Sequence, residues 1–160
     1  MEVCVDNVES FLNAIKGGAS RIELCSALSE GGLTPSLGFY QTVKKLSKIP
    51  IHILIRPRGG DFLYNDNEVE IMANDSEVFA NAGANGLVFG CLDKNANIDV
   101  EACKKIIERL KNYQTELNLT FHRAFDVAQD AFKAVEIIKN LGFSRILTSG
   151  QVRKLQPGYP

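Results

Sequence analysis

Apolar positions along this chain switch repeatedly between two periods. Short runs dominated by β-branched and other apolar residues recur at Val3–Val5, Ile22–Cys25, Ile51–Ile55, Gly86–Phe89, Leu119–Phe121 and Arg145–Thr148. Bounded by turn signals, such runs read as buried strands. The stretches between them carry helical spacing. Val8, Phe11, Leu12 and Ile15 share one face behind a possible Asn7 cap, and Gly17-Gly18 stops that helix. Thr34-Pro35 reads as a cap followed by a first-turn proline, opening a helix to about Leu46. Val69, Met72, Ala73 and Phe79 mark the next helix, which ends near Gly83. Cys103, Ile106, Ile107 and Leu110 form a stripe behind Asp99, and Ala131, Val135 and Ile138 form another.

An internal repeat supports the alternation. Gly18-Ala19-Ser20-Arg21-Ile22, Gly83-Ala84-Asn85-Gly86-Leu87 and Gly142-Phe143-Ser144-Arg145-Ile146 each place a helix-ending glycine before a short turn and a strand. Glycine suits the left-handed position after a helix because it lacks a Cβ. The copies recur about every 60 residues, the length of two βα units. Strand–helix alternation without a glycine-rich dinucleotide fingerprint points to a (β/α) barrel. The class expected is therefore α/β, with six parallel strands in a TIM-type barrel. A full barrel needs eight strands and typically about 250 residues, so this one is expected to be incomplete, lacking the last two βα units. Residues 1–150 read as the partial barrel. Residues 151–160 show neither period and read as an irregular tail. The last strand then leaves an open edge, a route to homo-oligomers.

Composition narrows the function. The chain has 160 residues, 45% hydrophobic and 23% charged, as expected of one globular domain. A net charge of −1 offers no basic footprint for nucleic acid. No apolar run approaches the ~20 residues that span a bilayer, and no signal-peptide pattern opens the chain. A cytoplasmic or nuclear protein is expected, with Cys4, Cys25, Cys91 and Cys103 as thiols rather than disulfides.

Two strand ends concentrate polar chemistry. Arg56-Pro57-Arg58-Gly59-Gly60-Asp61-Phe62 follows one apolar run, and His122-Arg123-Ala124-Phe125-Asp126 follows another. Parallel α/β folds bind ligands at the carboxyl ends of their strands. An arginine fork suits carboxylate or phosphate, and imidazole titrates near neutral pH. Glu23, Arg56, Arg58, His122 and Asp126 are therefore the candidate acid/base and anion-binding set, for a small anionic ligand. The competing reading is an internal network, Arg56 and Arg58 pairing with Asp61 or Glu23. His52, at the start of its strand, reads as structural. No lysine ends a strand, which disfavours Schiff-base chemistry. The side chains expected to face inward are Cys4, Asp6, Glu23, Cys25, Leu54, Arg56, Thr120 and His122.

Several of these segments resemble one family. Met1-Glu2-Val3-Cys4-Val5-Asp6, Arg21-Ile22-Glu23-Leu24-Cys25, Glu30-Gly31-Gly32-Leu33-Thr34-Pro35-Ser36, Ile55–Phe62, Thr120–Asp126 and Leu147-Thr148-Ser149-Gly150 are similar to the copper homeostasis protein CutC family, from Met1 to about Gly150. The resemblance implies a TIM-type barrel in the cytosol, linked to copper handling. It also implies copper binding at Cys4 and Cys25. Adjacent parallel strands lie about 4.8 Å apart, so two inward cysteines on neighbouring strands can share one ion. Soft thiolates favour Cu(I). The alternative for both is a pair of small core thiols. Cys103 reads as core, and Cys91 is left open. Three functions follow as expectations: Cu(I) binding in copper trafficking or tolerance, a barrel enzyme acting on a small anionic metabolite, or a truncated isoform without activity of its own.

Overall fold

The computed structural model describes residues 1–111, 113 and 117–151. Its strands are β1 (Glu2–Val5), β2 (Arg21–Leu24), β3 (Ile51–Leu54), β4 (Gly86–Phe89), β5 (Asn118–Phe121) and β6 (Arg145–Ile146). The helices between them are α1 (Val8–Lys16), α2 (Leu37–Leu46), α3 (Asp66–Asn81), α4 (Val100–Arg109) and α5 (Ala131–Asn140). The strands form one sheet in chain order, every neighbouring pair parallel. This is an incomplete TIM-type (β/α) barrel.

Each helix begins on a side chain that accepts an otherwise unpaired backbone N–H. Asn7, Ser36, Asn65, Asp99 and Asp130 accept from residues 10, 39, 68, 102 and 133. The expected start of α2 moves, since Ser36 is the cap and not Thr34. Thr34 Oγ1 instead accepts the backbone N–H of Arg56 at 2.8 Å. The glycine repeat closes three helices in the same way. After α1, α3 and α5, Gly18, Gly83 and Gly142 take positive φ. The N–H groups of Ala19, Ala84 and Phe143 then reach back to the carbonyls of Ala14, Phe79 and Ile138. This is the Schellman closure, which satisfies carbonyls that the helix leaves open.

Strand alternation splits the apolar residues into two layers. Val5, Ile22, Leu24, Ile53, Leu87, Phe89 and Phe121 pack outward against Phe11, Tyr40, Val43, Met72, Phe79, Ile106 and Ile138 of the helices. Inward, the apolar cluster is only Cys25, Leu54 and Val88. The rest of the inner face is polar. Cys91 and Cys103 both belong to the outer core, side by side, and a mutual hydrogen bond and burial push the Cys91 thiol up.

Two helical stripes differ from expectation. On α1, Leu12 and Ile15 are exposed, and on α5 the buried pair is Ala134 and Ile138, while Val135 and Phe132 are exposed. These helices accompany the first and last strands, each with a single neighbour among the described residues. An apolar stripe there has less sheet to cover it. For the same reason β6 is a two-residue ladder rather than Arg145–Thr148. The expected tail lies outside the described residues except for Gln151, whose N–H donates to Asp126 Oδ1 at 3.2 Å.

Candidate functional site

The inward side chains sort into levels set by strand register. Cys4, Glu23, His52, Gly86 and Asn118 are partners across five strands. Two residues further along come Cys25, Leu54, Val88 and Thr120, and then Arg56, Gly90 and His122 beyond the strand ends. Cys4, Glu23, Cys25, Leu54, Arg56 and His122 line one cavity of about 160 Å³, with Leu28, Gly31, Gly32, Phe62, Arg123 and Leu147. Most of the expected inward set is thus brought together. Asp6 is not. Its carboxylate accepts the Leu28 N–H at 3.3 Å, and it lines a separate groove with Ser26 and Thr34.

Glu23 is buried, and one of its carboxyl oxygens has no partner among the described residues. Burial and the neighbouring Glu2 raise its pKa to about 7, with Cys4 and Arg21 pulling the other way. Cys25 is buried, and its thiol donates to the Val5 carbonyl at 3.5 Å. Burial, then Glu23 and Asp6, push this thiol up to about 12. Cys4 stands at the free edge of β1 and is exposed. Its inner side packs against Glu23, and partial burial with the Glu23 and Cys25 charges raises the thiol well above its ordinary range. Water at the exposed side moderates that rise.

Arg56 is the buried cation of this cavity. Its Nη1 donates to the carbonyls of Glu30 and Gly32, and Nη2 to that of Gly60, each at 3.0 Å. Its guanidinium lies over the Phe62 ring at 5.1 Å. It forms no ion pair with a described carboxylate, so the expected pairing with Asp61 or Glu23 is absent. Gly32 makes the Arg56 and Cys25 arrangement possible. At φ +88°, a Cβ on Gly32 would meet Leu54 Cδ2 at 2.7 Å and Cys25 Sγ at 3.7 Å.

His122 is buried, its ring packed at a tilt against Phe62 with 4.8 Å between centroids. Burial and the Arg56 charge lower its pKa to about 3, so the ring is neutral. Its Nδ1 accepts the Ala124 N–H at 3.2 Å, which places the proton on Nε2. That Nε2 has no partner among the described residues. Gly90 supplies the space, because a Cβ there would lie 2.9 Å from His122 Nδ1.

Two candidates leave the set. Arg58 does not line the cavity. Its Nε donates to Glu68 at 2.6 Å, and Nη1 to Asp61 at 3.0 Å, at the start of α3. Asp126 is a clamp for the loop after β6. It accepts from the backbone N–H groups of Ser149 and Gln151, the hydroxyls of Thr148 and Ser149, and Arg123 Nε. Partial burial pulls its pKa upward, but those bonds win and hold it well below the carboxylate range. The hydroxyls of Thr148 and Ser149 and the Ser149 N–H serve this internal carboxylate, while the Gly150 N–H donates to Thr148 Oγ1 at 2.8 Å. His52, expected to be structural, is buried beside Gly86 at the far end of the lumen. Sequence reasoning missed the covering wall: Leu28, Gly31 and Gly32 from the β2–α2 loop, Phe62 and Leu147. The signal was Glu30-Gly31-Gly32, two adjacent glycines after a strand. Among the described residues, no group of three or more His, Cys, Asp or Glu side chains is arranged to hold a metal ion. No described helix is long and apolar enough to cross a membrane.

Fold and site together define a (β/α)-barrel protein with a thiol-bearing, charged cavity at the carboxyl ends of its strands. The chain belongs to the CutC family, whose model matches residues 1–159 and so continues past Gly150. It is 51% identical over 160 residues to the copper homeostasis protein cutC homolog of Homo sapiens, covering 100% of this chain and 57% of that protein. It is 52% identical over 150 residues to the family protein CutC of Vibrio vulnificus strain YJ016, covering 94% of this chain and 59% of that one. The chain therefore spans little more than half the length of the curated relatives it matches. The CutC crystal structure from Streptococcus agalactiae is similar with a TM-score of 0.87 and 36% identity, over 95% of this chain and 73% of that chain. A 2,3-dimethylmalate lyase, at TM-score 0.59 and 8% identity over 92% of this chain and 56% of its own, shares the fold alone.

Proposed function

We propose that this chain handles copper by binding Cu(I) between the thiolates of Cys4 and Cys25, as cargo in copper trafficking or tolerance. The observation that carries the reading is placement: both cysteines line one cavity, on neighbouring strands, facing the same side. Two soft thiolates suffice for a linear Cu(I) site, where hard or borderline ions demand more ligands. The Glu23 carboxyl between them favours a cation over an empty dithiolate. The relatives' copper homeostasis name supports the same reading.

Capture must displace both thiol protons, since both thiols sit above their ordinary range. The test is an anaerobic Cu(I) competition titration of reduced protein against a chromophoric chelator. Stoichiometric binding that disappears in the Cys4→Ser/Cys25→Ser double variant is the expected result. Binding that survives both substitutions overturns the reading.

A further inference from the structure

The cavity holds a second arrangement that copper does not use. Arg56 carries a buried positive charge whose bonds go to three neutral carbonyls and to no carboxylate. Beside it, His122 turns Nδ1 toward the Ala124 N–H and Gly90, leaving Nε2–H on the other side of the ring, buried and without a partner among the described residues. A buried donor without an acceptor is costly unless something else accepts from it. Phe62 packs on both groups and holds their planes. Leu28, Leu54 and Leu147 supply an apolar part of the wall, and Glu23, Cys4, Cys25 and Arg123 complete its polar part.

We propose that this cavity binds a small monocarboxylate, its carboxylate facing the Arg56 charge and accepting from His122 Nε2–H, its short apolar body lying on Leu28, Leu54, Phe62 and Leu147. The charge count selects one negative charge. Among the described residues lining the cavity, Arg56 is the buried cation, and the other, Arg123, is engaged by Asp126 and Ser149. Glu23 on the opposite wall repels a dianion. The cavity, about 160 Å³, suits a small molecule.

The test is NMR on the full chain, following the imidazole nitrogens of His122 during titration with propanoate, its neutral isostere propanamide, and inorganic phosphate. The expected result is a saturable one-site shift at His122 Nε2 with propanoate and none with propanamide. Phosphate should bind at least about tenfold more weakly. Arg56→Gln should weaken propanoate about ten- to hundred-fold, the usual scale for losing a charge-assisted bond. If that variant does not fold, His122→Phe keeps an aromatic ring against Phe62, removes the donor, and should weaken propanoate several-fold, read from the Gly31 and Gly32 amide shifts. No saturable shift, equal response to propanamide, preference for phosphate, or unchanged binding in folded His122→Phe would each overturn the proposal.

Discussion

Glu23→Gln should change how stability depends on pH, and the structure sets both sign and size. In the folded chain burial and Glu2 raise the Glu23 pKa from 4.5 to about 7. In the unfolded chain it returns to the ordinary value. A raised carboxyl pKa favours folding while the group is protonated. That contribution is fully present below about pH 4.5 and is lost as pH rises through about 7. The span corresponds to about 3 kcal/mol. Above about pH 7 the native protein carries a buried, half-satisfied carboxylate, and glutamine removes the charge while keeping the shape. Urea unfolding of both proteins at several values between about pH 5 and about pH 8 isolates the effect, because every other titrating group cancels in the difference. The variant's relative stability should climb with pH by about 3 kcal/mol. A difference that stays flat, or narrows as pH rises, would refute the claim that Glu23 is desolvated by the lumen.

The two histidines should act in the opposite direction. Burial lowers His52 to about 4 and His122 to about 3, so their contribution is present above about pH 6.5 and is lost as pH falls below it; both imidazoles should remain neutral by NMR at about pH 5. Gly32→Ala should destabilise by about 2 kcal/mol in thermal melts, since it combines φ +88° with a 2.7 Å approach to Leu54. Asp126→Ala should cost about 3 kcal/mol and release protection of the Ser149 and Gln151 amides in hydrogen exchange, leaving the cavity residues protected. Apparent Cu(I) affinity should rise about tenfold per pH unit for each thiol proton released to solvent, and a pH-independent affinity would argue against the two-thiolate site.

What could be read in advance follows from how local each cause is. The strands and helices were legible because their signals are periodic and near in sequence. Asn7 and Asp99 cap as expected, and the Gly18, Gly83 and Gly142 repeat marks three identical helix closures. Thr34 was misread because its hydroxyl is claimed by Arg56, a residue 22 positions away that no local pattern reveals. Leu12, Ile15 and Val135 lie on the apolar stripes yet are exposed, because periodicity reports which face is apolar, not whether a neighbour exists to cover it.

The same division runs through the site. Two-residue alternation on β1 and β2 was enough to place Cys4, Glu23 and Cys25 on one face, and strand-end position was enough to bring Arg56 and His122 to the same mouth. The hydrophobic period by itself therefore determined the barrel, its inner face and most of the cavity's charged lining. Only the tertiary structure decided which charges remain available. Arg58 is held by Glu68 and Asp61, and Asp126 by the loop at 148–151, while among the described residues Arg56 donates only to carbonyls and His122 keeps an unanswered N–H. The reason is physical: spacing along a strand sets direction, but hydrogen-bond partners come from whichever loops the curved sheet brings within about 3 Å, and those loops are distant in sequence.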